Sequence, residues 1–313
     1  MARRRNDDRG ARDLMVHMGL SGMLGAARAL PYGARLRAAG WLTSRIGARL
    51  AGYDARIRAN LAHVLPDLPE AEIRRLCRAV PDNYGRLMIE LYSGHEFLDR
   101  VAGLDIAGPG LAHLERARAE GRGVLLASGH LGNYDAVRAV LIARGFSVGG
   151  LYRPLANRRF NRVYLQKLRE IAEPLFPRDR RGLAEMLRFL RAGGMVGVLH
   201  DQRMDHGVPL PFMGKPALTA LSLAEMALRH DLLLVPAYGI RRPDGQSFDV
   251  TIEAPVPHST AEEMTRALNH SLEARVRDHM DQWLWMHRRW KGADRPARNA
   301  AAQRRRSAAR IAP

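Results

Sequence analysis

The stretch Val124-Leu-Leu-Ala-Ser-Gly-His-Leu-Gly-Asn-Tyr-Asp135 decides how the chain is read. Four apolar residues and a serine, bounded by Gly123 and Gly129, have the length and composition of a strand buried on both faces. Gly129 permits a tight turn, and His130 then stands where a helix begins, with Asp135 five residues on. Working outward, further short apolar runs at 146–151, 195–199 and 232–238 alternate with helical patterns at 131–144, 157–172, 180–192 and 217–230. That alternation predicts an α/β fold whose central, mostly parallel sheet is flanked by helices. The run 248–253 alternates apolar and polar, as a half-exposed edge strand does. Thr260 with Glu263 is a capping-box signal for a long helix reaching toward Trp283.

Upstream, residues 54–100 read as helical, with breaks at Pro66, Pro69 and Pro81. The longest stretch free of Asp, Glu, Lys and Arg is 14–27, shorter than the roughly 20 residues that span a bilayer. Its cleavage-site pattern is poor for a signal peptide, and Arg28, Arg35 and Arg37 follow closely. Residues 13–53 read as helices with apolar faces (among them Leu36, Trp41, Leu42, Ile46 and Leu50) and arginine flanks. That suits a helix lying in a bilayer interface; the same pattern fits an amphipathic helix packed on its own domain. The expected division is a basic, membrane-associating N-terminal part at 1–53, an α/β domain at 54–291 and a basic, disordered tail at 292–313.

Composition excludes several classes. Of 313 residues, 46% are hydrophobic and 26% charged, a mixture that rules out wholesale disorder and a polytopic membrane protein. A single cysteine, Cys77, excludes an internal disulfide framework and a multi-thiolate metal site. The 50 basic against 32 acidic residues give a formal net charge of +18, and only Lys167, Lys215 and Lys291 are lysines. The excess gathers at the ends, with five arginines before residue 13 and nine basic residues from Arg288 onward. Such ends suit a polyanion, either an anionic bilayer or nucleic acid. An arginine-tailed nucleic-acid-binding protein would leave His130 and Asp135 unused, and no RNA- or DNA-reading motif accompanies the tails. The segment His200–His206 has the residue types of a metal site, but Arg203 stands in its middle and no catalytic metal spacing occurs.

Ligands and catalytic groups collect at strand ends in open α/β sheets. A His130 imidazole folded back against Asp135 would keep its proton on Nδ1 and leave Nε2 as a general base. No G-x-S-x-G elbow is present, so the attacking group is expected to be a substrate hydroxyl; water in its place would make the protein a thioesterase. The spacing alone also fits a helix-capping histidine near an unrelated aspartate.

The segment 130–135 resembles the H-x4-[D/E] motif of bacterial glycerolipid and lipid A acyltransferases. Further matches are Arg58-Ala-Asn-Leu61 with Leu65-Pro66, Asn83-Tyr-Gly-Arg86 with Glu90, and Tyr152-Arg-Pro154. Asp201-Gln202, Val208-Pro-Leu-Pro-Phe-Met-Gly214 and Trp283-Leu-Trp-Met-His-Arg-Arg-Trp-Lys291 follow in the same order. Together they are similar to the late lipid A (lauroyl/myristoyl) acyltransferases and their glycolipid-acylating relatives. The resemblance implies a glycerolipid-acyltransferase-like fold and transfer of a fatty acyl group from an acyl carrier protein thioester to a hydroxyl of a lipid A precursor. No bound cofactor is implied. Another glycolipid acceptor, or acyl-CoA as donor, stays open. It also implies work at the cytoplasmic face of the inner membrane, by peripheral or monotopic attachment or a single N-terminal anchor. His130 would be the base and Asp135 its partner, although that branch more often carries Glu there. Arg153 would stabilise an oxyanion or hold a phosphate. Asp201, ending a buried strand, is expected to pair with an arginine at the site. Arg288 and Arg289 either bind headgroup phosphate or join an aromatic cluster with Trp285 and Trp290. Pro209, Pro211 and Phe212 are expected in a loop lining an acyl tunnel.

Overall fold

A computed structural model describes residues 18, 19, 22, 24–155 and 157–293. The basic ends at 1–12 and from 294 onward, on which part of the charge argument rests, lie outside the described residues. The elements before residue 104 are helical: α1 (Tyr32–Leu42), a π-helical turn (Thr43–Gly47), α2 (Ala48–Ala51), α3 (Tyr53–Val64), α4 (Glu70–Leu91) and α5 (His95–Val101). Pro81 does not break the chain here but lies inside α4. A proline in a helix interior costs about 3 kcal/mol or more. Leu76, Val80 and Leu87 on the same helix are buried, each contributing about 1.5–3 kcal/mol, so tertiary packing overrides the local signal.

After Leu104 the pattern becomes strand–helix–strand. The order is β1 (Ile106–Ala107), α6 (Gly110–Ala119), β2 (Val124–Ser128), α7 (Tyr134–Ala143), β3 (Val148–Tyr152), α8 (Arg158–Ile171), β4 (Leu175–Pro177), α9 (Arg180–Arg191) and β5 (Met195–Leu199). Then come β6 (Val208–Phe212), β7 (Lys215–Thr219), α10 (Ser222–His230), β8 (Leu233–Arg241), β9 (Phe248–Ile252) and α11 (Ala261–Asp278). Among the described residues seven strands form one sheet in the order β1-β9-β8-β2-β5-β3-β4. All neighbours are parallel except β8 and β9. Every residue of β2 is buried, as its uninterrupted apolar run requires. Because side chains alternate along a strand, Val124 and Leu126 enter the core under α7, while Leu125 and Ala127 enter the core under α9 and α10.

Three expectations are corrected. The run 248–252 alternates in burial as read, yet β9 is penultimate, covered at the sheet margin by the two-residue β1. Residues 208–219, read as a loop running into a helix, form the antiparallel hairpin β6–β7 turning at Met213-Gly214, both with positive φ. Such a two-residue turn matches the right-handed strand twist, and Phe212 is buried while Pro209 and Pro211 are exposed. The capping box at Thr260 and Glu263 is present, but α11 ends at Asp278. A 3-10 turn at Met280–Gln282 then leads to Trp283. There Trp283 meets Trp285 edge-on at 4.8 Å and Phe212 at 5.4 Å, closing a second aromatic core beside the strand ends.

Candidate active site

Parallel pairing of β2 with β5 sets Ser128 opposite Leu199. Two residues further along each strand direction, at the carboxyl ends of neighbouring strands, stand His130 and Asp201. Their side chains meet: Nδ1 of His130 lies 2.7 Å from Oδ1 of Asp201. The other carboxylate oxygen accepts the backbone N–H of His130 at 2.8 Å and the indole N–H of Trp283 at 2.9 Å. Burial alone would push the Asp201 carboxyl up. The charge of His130 and these hydrogen bonds outweigh it and hold the pKa well below the ordinary carboxylate range. An ionised Asp201 facing Nδ1 fixes the ring proton there and leaves the lone pair on Nε2. That nitrogen lies 3.2 Å from the carboxamide nitrogen of Gln202.

The turn carrying His130 is held from two sides. Leu284 N–H donates to the carbonyl of His130 at 3.0 Å, and Gly132 N–H to that of Gln282 at 3.1 Å. On the opposite side Asn133 N–H donates to Gly239 in β8 at 2.8 Å. Gly132 has φ +56°, and a Cβ there would lie 2.1 Å from the carbonyl oxygen of Gly239, so only glycine fits. Asn133 caps α7 by accepting from the N–H groups of Asp135 and Ala136. Its own amide donates at 2.8 Å to Glu90, a fully buried carboxylate that also accepts from Arg241 Nη2 at 2.7 Å. Asn60 donates to the carbonyls of Trp285 and His287 at 2.7 and 2.8 Å, tying the C-terminal strap to α3.

The expected contact between His130 and Asp135 is not formed. Asp135 lies in the first turn of α7, and its carboxylate accepts from Arg138 Nη1 at 2.8 Å, since residues three apart share a helix face. Gly150 makes room for that guanidinium: a Cβ there would lie 2.8 Å from Arg138 Cζ. Asp201 pairs with His130 and Trp283 instead of an arginine. Arg289, the nearby candidate, directs its guanidinium to the Leu218 carbonyl at 2.8 Å and the Thr219 hydroxyl at 2.7 Å. It is fully buried over the Phe212 ring, and burial brings its pKa down to about 10. The Phe212 ring beneath it in turn stacks on Trp290. Arg288 is exposed. Arg153 is exposed just past the end of β3, with no hydrogen-bonded or ionic partner among the described residues. Sequence reasoning missed Trp283, Gln202 and Glu90 as site-building groups, although each lies in a stretch already singled out.

Two more histidines border the site. His200, whose Nδ1 lies 2.9 Å from the Ser128 carbonyl, and His287, which accepts from Arg203 N–H at 3.0 Å, are both held below the usual imidazole range, chiefly by burial. For such groups the unfolded chain binds more protons once the pH falls below about 6.5. Asp201 adds the same sign below about 4, because its folded-state pKa is depressed. From these three groups stability is expected to fall as the pH drops below about 6.5, and more steeply below about 4. Urea midpoints measured across that range check it; a midpoint that rises on acidification would contradict the assignment.

Beside His130 a crevice of about 20 Å³ opens between α4 and the C-terminal strap, walled by Val80, Tyr84, Leu87 and Leu284. The His130 residue thus lines a crevice whose walls are largely apolar, with Asn83 and Gln282 among them. The description "bacterial lipid A biosynthesis acyltransferase" fits the chain over residues 10–292. A lipid A biosynthesis lauroyltransferase of Escherichia coli K12 is 26% identical over 248 residues, 75% of this chain and 78% of that one. A phosphatidylinositol mannoside acyltransferase of Mycobacterium tuberculosis is 27% identical over 277 residues, 85% of each chain. A lipid A biosynthesis acyltransferase of Haemophilus influenzae is 26% identical over 262 residues, 80% of this chain and 81% of that one. With nearly all of its length matched in this way, the chain belongs to the bacterial lipid A biosynthesis acyltransferases and is an acyltransferase.

Proposed function

We propose that the protein transfers a fatty acyl group from an acyl carrier protein thioester to a hydroxyl of a lipid A precursor, with His130 as general base and Asp201 as the carboxylate that orients it. The observation that carries this reading is the 2.7 Å contact of Nδ1 with Asp201, which in the neutral ring places the proton on Nδ1 and the lone pair on Nε2. The acceptor O–H gives its proton to Nε2 as its oxygen forms a bond to the thioester carbonyl carbon. The C–S bond then breaks, and the leaving thiolate takes the proton back from the imidazolium, giving an ester and a free thiol. Asp201 stabilises the transient imidazolium. Arg153, just past the end of β3 beside β5, is an exposed cation on offer to a phosphate of donor or acceptor. The purified protein, offered lauroyl- and myristoyl-acyl carrier protein and a lipid A precursor, is expected to give a product heavier by one acyl group in mass spectrometry. A different glycolipid acceptor is favoured by the likeness to the phosphatidylinositol mannoside acyltransferase, so the panel includes such a lipid and acyl-CoA. No ester product from any pair would refute the reading.

The lipid acceptor calls for a membrane face, and α1, the π-turn and α2 supply a candidate. Trp41, Leu42, Ile46 and Leu50 are 55, 43, 48 and 85% exposed, with exposed Arg45 and Arg49 between them. No helix among the described residues is long and apolar enough to cross a membrane. Aromatic and aliphatic side chains beside arginines suit burial in the headgroup region of an anionic leaflet, at the inner membrane in this reading. Replacing Trp41 and Leu50 together by serine is expected to weaken partitioning onto anionic vesicles by about tenfold or more, each lost insertion being worth about 1.5–3 kcal/mol at full burial. Unchanged vesicle co-sedimentation would remove this face from consideration.

A further inference from the structure

We infer that Gln202 is a displaceable cap on His130: its carboxamide holds the Nε2 lone pair between turnovers, keeps that nitrogen from activating water, and yields to the acceptor hydroxyl. The inference rests on the general-base reading of His130. With Asp201 on Nδ1, Nε2 carries a lone pair that needs a donor, and the Gln202 carboxamide nitrogen at 3.2 Å meets that need. The carboxamide makes no other hydrogen bond among the described residues, and 3.2 Å is at the long end of the range, so little holds it when a competitor arrives. The backbone beyond it is anchored. Arg203 N–H donates to His287 Nε2 at 3.0 Å, and Arg203 Nε to the Lys291 carbonyl at 2.6 Å. The side chain can therefore swing while its loop stays fixed.

What the cap prevents follows from the chemistry of a bare lone pair. The His130 residue also lines a crevice of about 20 Å³, room for a single water. With a thioester in place and Nε2 bare, that water would attack the carbonyl carbon as its proton passed to Nε2. The C–S bond would break, and the thiolate would be reprotonated by the imidazolium. Free acid and thiol would be the products, and the activated acyl group would be lost. A donor on the lone pair suppresses this path until an acceptor hydroxyl displaces it. Once Nε2 holds a proton, the carboxamide NH₂ faces an N–H. Rotation about its last bond then presents Oε1 as an acceptor, so one side chain serves both protonation states.

The test compares the full chain with its Gln202→Ala and Gln202→Met variants, the second keeping bulk without a donor. The probe is diethyl pyrocarbonate, which acylates an imidazole through its free lone pair, read by peptide mass spectrometry at His130 with exposed His270 as the internal reference. The His130 side chain is 20% exposed and within reach. Both variants are expected to modify His130 about threefold to tenfold faster than the parent, the fold-change of one modest hydrogen bond. Hydrolysis of lauroyl-acyl carrier protein without acceptor is expected to rise in parallel and to vanish when His130→Ala is added. Parent-like modification of His130 in either variant overturns the cap. If His130→Ala alone leaves transfer undiminished, the base reading itself fails; if it abolishes transfer while Gln202→Ala modifies at the parental rate, only the cap is lost.

Discussion

Replacing His130 with alanine is expected to lower acyl transfer by about 10²–10⁴-fold, the contribution usual for a positioned general base. Alanine also deprives the buried Asp201 of its Nδ1 partner, and an unmade buried hydrogen bond costs about 1–3 kcal/mol. His130→Asn separates the two effects. Its side-chain amide can donate to Asp201 in place of Nδ1 but has no lone pair where Nε2 stood. It should therefore unfold close to the parent while remaining as inactive as the alanine variant. Single-turnover transfer from a labelled thioester, together with a thermal unfolding curve, decides the matter. Full activity in His130→Asn would end the case for this imidazole.

Asp201→Asn is expected to be comparably damaging, by about 10³–10⁴-fold, because it changes the tautomer. One carboxylate oxygen already accepts two N–H groups, from His130 and Trp283, so the single oxygen of asparagine belongs there. Its NH₂ then faces Nδ1, which must present a lone pair, and the ring proton moves to Nε2. The base is lost although every hydrogen bond is kept. Asp135→Asn should behave in the opposite way. It leaves the buried Arg138 without its counter-charge, and breaking such a pair commonly costs about 3–5 kcal/mol. Turnover per folded molecule should change far less than in Asp201→Asn. A pair of variants showing the reverse, with Asp135→Asn stable and inactive and Asp201→Asn active, would restore Asp135 as the partner of the base.

Much of this protein is legible along the chain. The apolar runs at 124–128 and 195–199 are strands to the residue, and the capping box at Thr260 starts α11 where it should. These signals work because burial on two faces and helix capping are local requirements written in adjacent residues. The misses share the opposite property. Pro81 continues a helix because its neighbours are buried by distant elements, and 208–219 becomes a hairpin because Trp290, Asn269 and Arg289 satisfy carbonyls along it.

The site divides in the same way. The amino-acid order alone determined the α/β class, the position of His130 at a strand end, and the likeness to a family of acyltransferases. Each follows from periodicity, turn chemistry or a short motif. Only the tertiary structure decided which carboxylate faces the imidazole. Five residues of separation placed Asp135 nearby along the chain, but a helix turns that side chain toward Arg138. Asp201, 71 residues away in sequence, is set beside His130 by the register of two parallel strands, and a spacing read along one chain carries no register between strands.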